Sequence, residues 1–460
     1  MKSRITVCAC TFFLLFAAVW GNQLLAAEET SAAAGAVLPE DHIYTTINED
    51  GRLEIMDIES MEEQTAQEQA MHIEDSQKDA RVLKYGVVNF RTKSSAALNT
   101  NYVDANTGKS GYTNGYYAAD AAFLGYENGK PENLIFTAGG TEADHLALFG
   151  TTYAKAQHLH GGKIIISDSE HAAVEQAAQA LETMGIEVVR IPTRGGVFDM
   201  DAYQKALTPH VFLVSCMLVN NETGAVNDIA AIAAAARRVR SDVTIHTDAV
   251  QGYQKFPFRL SKLGADLITL SAHKIHGPKG VGALYVSPAV CKSKRLRCII
   301  TGGGQEHDMR SGTENMPGIA GFAAAAEWGD KQLREHLKKL HMLRDHLLQR
   351  LQTDPALSEI QCNSPQSALC APHILSITLP HIKSNTALNF LSARGICVSG
   401  GSACSSNHPQ ISRTLLHFGL DRNAADSTLR ISFSPENTID QLDRFADALR
   451  EAVTTLIRFS

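Results

Sequence analysis

The sequence predicts an α/β fold with a mostly parallel sheet, and three features of the chain after Pro131 support this prediction. Short apolar runs of strand length alternate with helix-like stretches. Several of the runs are mostly apolar without alternation, as in residues 211–216, which is typical of strands buried on both faces. Polar and charged residues gather just after the runs, where the loops of such a sheet hold their functional groups. Together these features predict a large α/β domain.

The predicted elements follow one another in a regular order. Strand-like runs lie at residues 164–167, 187–191, 211–216, 244–246, 267–270 and 282–286. Helix-like stretches lie between them at residues 172–184 and 229–239. A longer helix-like stretch, residues 333–351, carries leucines on one face and should lead into a smaller C-terminal α/β domain.

The chain divides into five predicted segments. Residues 1–27 combine a basic start, a short apolar run and small residues, as a secretory signal peptide does, with an uncleaved membrane anchor as the alternative. Residues 28–81 are acidic and poor in aromatic residues, so we expect a disordered linker. Residues 82–131 have the texture of a small β- or turn-rich module of unknown role. The large domain then occupies residues 132–334, and the smaller domain occupies residues 335–460.

Charge and cysteine content exclude several classes of protein. The formal net charge of −7 gives no global basic surface, so we predict no binding to nucleic acid. Nine cysteines in 460 residues are too few for a disulfide-stabilised miniprotein. No cysteine beyond residue 200 stands in a CxxC pair, so these thiols do not indicate a structural metal site. A small molecule or a protein is the better expectation for a partner.

The ends of the predicted strands carry residues capable of chemistry. The glycine turn TAGGTEADH at 137–145 opens a helix whose N-terminus suits an anion such as phosphate, although a tight strand-to-helix connection needs the same glycines. SEH at 169–171 and NNETG at 220–224 follow two further strands. HTDAVQ at 246–251 places a carboxylate at a strand end, and SAHK at 271–274 places an amine there.

The carboxylate of Asp248 and the amine of Lys274 point to one cofactor. A buried carboxylate and a buried amine are each unfavourable without a partner. Pyridoxal phosphate offers its protonated ring nitrogen to Asp248, its carbonyl to Lys274 and its phosphate to the glycine turn at 137–145. The residues therefore predict pyridoxal phosphate as the cofactor.

Five motifs in this order closely resemble those of the cysteine desulfurases, a branch of the class V aminotransferase-like enzymes. They are VNNETG at 219–224, SAHKIHGPKG at 271–280, GGGQE at 302–306, MRSGT at 309–313 and SGGSAC at 399–404. The resemblance runs from about residue 132 to the C-terminus, and its last motif is similar to the housekeeping, or group I, branch. It implies the pyridoxal phosphate fold type I, with a mostly parallel sheet of the seven-stranded type in the large domain.

The resemblance assigns roles at the cofactor residue by residue. Lys274 would hold pyridoxal phosphate covalently, with Asp248 at the ring nitrogen and Gln251 at the ring hydroxyl. His171 would stack on the ring and assist proton transfer. The phosphate would be held by Gly140, Thr141, Ser271 and His273. Thr313 would reach that phosphate from the other subunit, which implies a homodimer.

The resemblance also assigns the substrate site. Asn221 and Arg430 would orient the carboxylate of L-cysteine, for which a guanidinium offers parallel donors. Cys404 would be the nucleophile, and it must react as the thiolate. The implied activity is a sulfurtransferase reaction that converts L-cysteine to L-alanine and leaves a persulfide on Cys404. The sulfur would pass to an acceptor or to an iron–sulfur scaffold protein, where Cys404 would contact a nascent cluster transiently.

Two alternatives remain open at this point. Another enzyme of the same branch, a selenocysteine lyase or a class V aminotransferase, would share most of these motifs. An inactive, truncated or fused exported relative would also share these motifs. This alternative arises because the strand and turns with which desulfurases begin are not recognisable before residue 132. Location stays open as well, since the family resemblance implies the cytoplasm and residues 1–27 imply export.

Overall fold

The computed structural model describes residues 133–155, 162–365, 369–400 and 411–456, together with four short strands before residue 112. The chain divides into two units, Met1–Lys78 and Asp79–Ser460. In the first unit, β1 (Thr45–Ile47) pairs with β2 (Leu53–Ile55) as an antiparallel hairpin. This hairpin lies within residues 28–81, where the sequence analysis expected only a linker. The predicted signal or anchor at residues 1–27 lies outside the described residues.

In the second unit, a two-stranded hairpin precedes the main sheet. It pairs β3 (Tyr102–Val103) with β4 (Ser110–Gly111), within the segment 82–131. The main sheet has seven strands: β5 (Leu134–Thr137), β6 (Lys163–Ser167), β7 (Glu187–Ile191), β8 (Val211–Ser215), β9 (Thr244–Asp248), β10 (Leu267–Ser271) and β11 (Gly282–Val286). Their order across the sheet is β5-β11-β10-β9-β8-β6-β7.

The sheet is mostly parallel, as the sequence predicts. Strands β10, β9, β8, β6 and β7 form one continuous parallel block. Strand β11 is antiparallel to both of its neighbours, β10 and β5. Five of the strands are buried along their whole length. Burial on both faces explains why four of them are mostly apolar without alternation, whereas β9 buries the polar residues Thr244, His246, Thr247 and Asp248.

Helices cover both faces of this sheet and build the smaller domain. Those of the large domain are α1 (Gly140–Lys155), α2 (Ala172–Thr183), α3 (Met200–Ala206), α4 (Ile229–Val239), α5 (Leu260–Leu263) and α6 (Pro288–Ser293). The long α7 (Met316–Thr353) follows, and the smaller domain adds α8 (Ser384–Ser392), α9 (Arg413–His417), α10 (Arg422–Asp426) and α11 (Ile439–Thr455). Single 3-10 turns occupy Arg194–Gly196, Ala272–Ile275 and Pro355–Leu357.

Helix α7 joins two hydrophobic cores. Its N-terminal half buries Ile319 and Phe322 in the core beneath the seven-stranded sheet. Its C-terminal half buries Leu340 and Leu347 in the core of the smaller domain. The helix begins at Met316, where Asn315 caps it, rather than at the predicted residue 333. The sequence pattern revealed only the half whose leucines lie on one face, because the first half is rich in alanine and glycine.

The smaller domain is built on a three-stranded antiparallel sheet. Its order is β12 (Gln361–Cys362), β13 (Ile374–Thr378) and β14 (Thr428–Ser432). Helices α7 and α11 pack on one another within its core. None of the helices in the described ranges is long and apolar enough to cross a membrane.

Candidate active site

One cavity of about 140 Å³ lies at the carboxyl end of the parallel strands. It is lined by Gly140, Thr141, Asp144, His171, Met217, Asn221, Asp248, Val250, Gln251, Ser271, His273, Lys274 and Arg430. Because parallel strands end at the same edge of a sheet, residues that are far apart in the sequence converge there. Asp248 is the last residue of β9 and Ser271 the last of β10, while His171 and Asn221 follow β6 and β8.

Asp248 is the buried acid of this cavity. It is 4% exposed, and its Oδ1 accepts a hydrogen bond of 2.8 Å from the backbone N–H of Val250. Burial raises the pKa of Asp248 above its ordinary value, and the facing His171 and Lys274 oppose that rise. The carboxylate therefore lies where a cation would stabilise its charged form.

Two further buried carboxyls, those of Asp144 and Glu170, lie near Asp248 and were not predicted from the sequence. Asp144, on α1, is 1% exposed, and burial followed by the proximity of Asp248 raises its pKa well above the ordinary value. Burial raises the pKa of Glu170 to about 8, although Ser167 Oγ and the backbone N–H of Met217 both donate to Glu170 Oε1. The raised pKa values favour the protonated form of both carboxyls, which limits the negative charge next to Asp248.

His171 is held in one orientation by the start of α2. Its Nδ1 accepts a hydrogen bond of 3.2 Å from the backbone N–H of Ala173, so the ring caps the helix. An accepting Nδ1 carries no proton, which places the proton of the neutral ring on Nε2. Nε2 is therefore the nitrogen that can exchange a proton within the cavity.

One end of the cavity opens into a wider space of about 710 Å³, with which it shares Gly140, Thr141 and His273. Ser271 Oγ lies 2.8 Å from His273 Nδ1 at this opening. Partial burial, followed by the proximity of Lys274, lowers the pKa of His273. The opening therefore presents a helix N-terminus, a hydroxyl and an imidazole, which are the groups that bind a phosphate.

The opposite side of the cavity contains the predicted carboxylate site. Arg430 Nη1 donates a hydrogen bond of 2.9 Å to the backbone oxygen of Asn221. The backbones of Arg430 and Ser399 are joined by two hydrogen bonds. Glu222, which burial gives a raised pKa, accepts a hydrogen bond of 2.6 Å from Ser412 Oγ. Ser399 is thus attached to Arg430 of the carboxylate site, and Ser412 is attached to Glu222, the neighbour of Asn221.

Ten of the twelve predicted site residues line this cavity. They are Gly140, Thr141, His171, Asn221, Asp248, Gln251, Ser271, His273, Lys274 and Arg430. Thr313 is exposed and does not line it, and Cys404 lies outside the described residues. Sequence reasoning missed Asp144 because an acidic residue inside a helix gives no signal of burial. It missed Met217 and Val250 because apolar residues beside strands are common in any core.

The comparisons with known proteins identify the family. The family model for aminotransferase class V matches residues 75–445, so the match begins before residue 132 and overlaps the segment that we predicted to be a separate module. The chain is 34% identical over 328 residues to a cysteine desulfurase IscS of Dictyoglomus turgidum, covering 71% of this chain and 80% of that protein. It is 37% identical over 336 residues to a cysteine desulfurase IscS of Pseudomonas putida, covering 72% and 80%.

Solved structures agree with these relatives. A NifS-like protein aligns with a TM-score of 0.69 and 31% identity, covering 82% of this chain and 96% of that one. The fold is therefore that of the pyridoxal phosphate enzymes of fold type I, as the sequence predicts. The chain belongs to the class V aminotransferase family and, within it, to the pyridoxal phosphate-dependent cysteine desulfurases.

Proposed function

We propose that this chain removes sulfur from L-cysteine and carries it as a persulfide on Cys404. The observation that supports this most is the convergence of Asp248, Lys274 and Arg430 on one cavity at the carboxyl edge of the sheet. The family comparisons support the same reaction class. The net reaction joins the thiol of Cys404 to the sulfur of L-cysteine, breaks the C–S bond of the substrate and transfers one hydrogen to the carbon that becomes the methyl group of L-alanine.

The residues of the cavity fit pyridoxal phosphate. Asp248 offers a buried carboxylate to the ring nitrogen, and Lys274 offers a primary amine. Asp144, whose buried Oδ1 lies 3.6 Å from His246 Nε2, adds a further polar group to the cavity wall. At the opening, the backbone of Gly140 approaches the cavity so closely that a Cβ there would lie 3.1 Å from Val250 Cγ2. Each part of the cofactor therefore has a matching group.

When bound, the cofactor supplies an electron sink that lowers the barrier to removing the Cα proton of the substrate. The chain supplies position and protons. Arg430 and the nearby Asn221 bind the substrate carboxylate, with the guanidinium held by its bond to the Asn221 backbone. His171 Nε2 exchanges a proton on the cavity side, because Nδ1 is occupied at the start of α2.

The test uses the full chain, reconstituted with pyridoxal phosphate and supplied with L-cysteine. The wild-type protein should form L-alanine and a persulfide that thiol-specific mass spectrometry places on Cys404. Cys404→Ala should still bind the cofactor and should form no persulfide. Lys274→Ala should lose the visible absorbance of covalently bound cofactor.

Other outcomes would favour the alternatives. Undiminished conversion of L-cysteine by Cys404→Ala would point to a selenocysteine lyase or an aminotransferase, which need no protein thiol as sulfur acceptor. A wild-type protein that binds no cofactor would point to an inactive relative.

We also propose that the enzyme is a homodimer in which Thr313 contacts the phosphate bound by the other subunit. Support comes from the exposure of Thr313 and from its position outside the cavity of its own chain. Light scattering should give twice the mass of the chain, and Thr313→Val should weaken cofactor binding. A monomer that binds the cofactor tightly would contradict this proposal.

We propose that residues 1–27 direct export and that the sulfur passes to a separate acceptor protein. The basic start and short apolar run support export, and the family supports transfer to an acceptor. Peptide mapping of the mature N-terminus in a cell fraction tests export. A cytoplasmic protein that retains Met1 would contradict it.

A further inference from the structure

A histidine of the smaller domain contacts the predicted cofactor site from outside the cavity. His373 immediately precedes β13, and its Nε2 lies 3.3 Å from Gln251 Oε1. Its side chain is 5% exposed, and it does not line the cavity, whereas Gln251 does. The contact therefore links the smaller domain to a predicted cofactor residue of the large domain.

The backbone around His373 is fixed from both sides. The N–H of Ala371 donates to the oxygen of Gly224 at 2.8 Å, and the N–H of Val226 donates to the oxygen of Leu369 at 2.9 Å. The oxygen of His373 itself accepts a hydrogen bond of 2.9 Å from the N–H of Phe433. These bonds hold the ring at a set position against Gln251.

The surroundings of the ring determine which nitrogen carries its proton. Burial, followed by the proximity of Lys255 and Arg430, lowers the pKa of His373 well below its ordinary value, so the ring is neutral. Nδ1 is buried and has no hydrogen-bond partner within the described part of the chain. Because an unpartnered N–H group is less favourable than an unpartnered lone pair, the proton belongs on Nε2. Nε2–H then donates to Gln251 Oε1.

We propose that His373 is a positioning residue that fixes the orientation of the Gln251 amide. With Oε1 occupied by His373, the NH₂ group of Gln251 faces the cavity and donates to the ring oxygen of pyridoxal phosphate. The proposal rests on the proposed cofactor, and it adds a residue outside the motifs that identified the family. Without His373, the Gln251 amide can rotate by about 180° and place Oε1 next to the ring oxygen of the cofactor. Two oxygen acceptors then face each other, which is repulsive.

The test compares two substitutions in the full-length holoprotein. His373→Leu removes the donor, whereas His373→Gln places an amide N–H where Nε2 was. Both substituted side chains are neutral and leave the nearby Lys255 and Arg430 in place. The visible absorbance of the lysine-bound cofactor changes with pH as the cofactor loses a proton. A hydrogen-bond donor to the ring oxygen favours the anionic form of that oxygen. Loss of the donor should therefore raise the pH midpoint of this absorbance change by about one unit, or about 1.4 kcal/mol.

We expect His373→Leu to raise the midpoint and weaken cofactor binding about tenfold, and His373→Gln to stay near the wild-type values. His346→Leu, which removes a histidine that contacts Asp443 instead, serves as the control and should change neither value. His373→Ala repeats the comparison if the leucine variant does not fold. A wild-type midpoint in His373→Leu, or an equal shift in both substitutions, would overturn the proposal. A wild-type protein without bound cofactor would instead refute the proposed function.

Discussion

Gly282, the first residue of β11, has almost no space for a side chain. A Cβ at this position would lie 2.6 Å from the carbonyl carbon of Gly139, 2.8 Å from its Cα and 2.8 Å from the oxygen of Leu270. All three are backbone atoms, and carbon atoms in contact prefer about 3.5–4.0 Å. Gly282→Ala must therefore displace the turn before α1 by about 1 Å, measured against that preferred separation.

That displacement should affect both stability and the site. Overpacking of this kind costs about 1–3 kcal/mol, so we expect the free energy of unfolding to fall by that amount. The turn leads directly into Gly140 and Thr141, which line the cavity. We expect cofactor binding to weaken at least about tenfold, which corresponds to about 1.4 kcal/mol. Urea unfolding of the cofactor-free protein and titration with pyridoxal phosphate measure the two effects separately.

Gly150→Ala is the matched control. A Cβ at Gly150 would lie 2.5 Å from the backbone oxygen of Arg297, so this substitution also creates a backbone clash. Gly150 lies on α1, ten residues and about 15 Å from Gly140. Stability should fall in both variants, and cofactor affinity only in Gly282→Ala. Wild-type affinity in Gly282→Ala, or an equal loss in Gly150→Ala, would refute the reasoning.

Three further predictions concern single side chains. Asp248→Asn keeps the size of the side chain but removes its charge, so the rate of alanine formation should fall at least about 100-fold. A rate within a factor of a few of the wild-type rate would contradict the role of Asp248 at the ring nitrogen. The pKa of Glu170 is raised to about 8, so the protonated form favours the folded state and wild-type stability should decrease from about pH 4.5 to pH 8. Glu170→Gln should flatten that decrease, by at most about 5 kcal/mol, and parallel pH–stability curves for the two proteins would count against a protonated Glu170. Leu347 lies in the core of the smaller domain, so Leu347→Ala should lower the free energy of unfolding by about 2–5 kcal/mol. The affinity of the folded variant for the cofactor should stay unchanged. A loss below about 1 kcal/mol would show that this core is not closely packed.

The sequence predicted the sheet and most of the cavity because both follow from local patterns. Buried parallel strands are continuously apolar, and their carboxyl ends share one edge of the sheet. Motifs that follow separate strands therefore converge, which explains why the sequence alone predicts that Asp248 and Lys274 serve one site. The antiparallel insertion of β11 between β5 and β10 was not predicted, because strand order depends on contacts distant in sequence.

The residues that the sequence did not reveal owe their position to long-range packing. Asp144 gains its environment only when α1 packs over β9 and β10. His373 reaches Gln251, 122 residues away, only when the smaller domain packs against the loop at residues 220–226. A lone histidine before a strand carries no signal of such a contact.

The central claim is that Lys274 is the amine that binds the cofactor opposite Asp248. The half-buried Lys255 is the second lysine that could bind the cofactor. Burial and the proximity of Lys274 lower the pKa of Lys255 to about 7, which makes its amine reactive. Borohydride reduction of the holoprotein, followed by peptide mass spectrometry, identifies the modified lysine directly. We predict the reduced cofactor on the peptide that contains Lys274, and its recovery on the peptide with Lys255 would contradict the account.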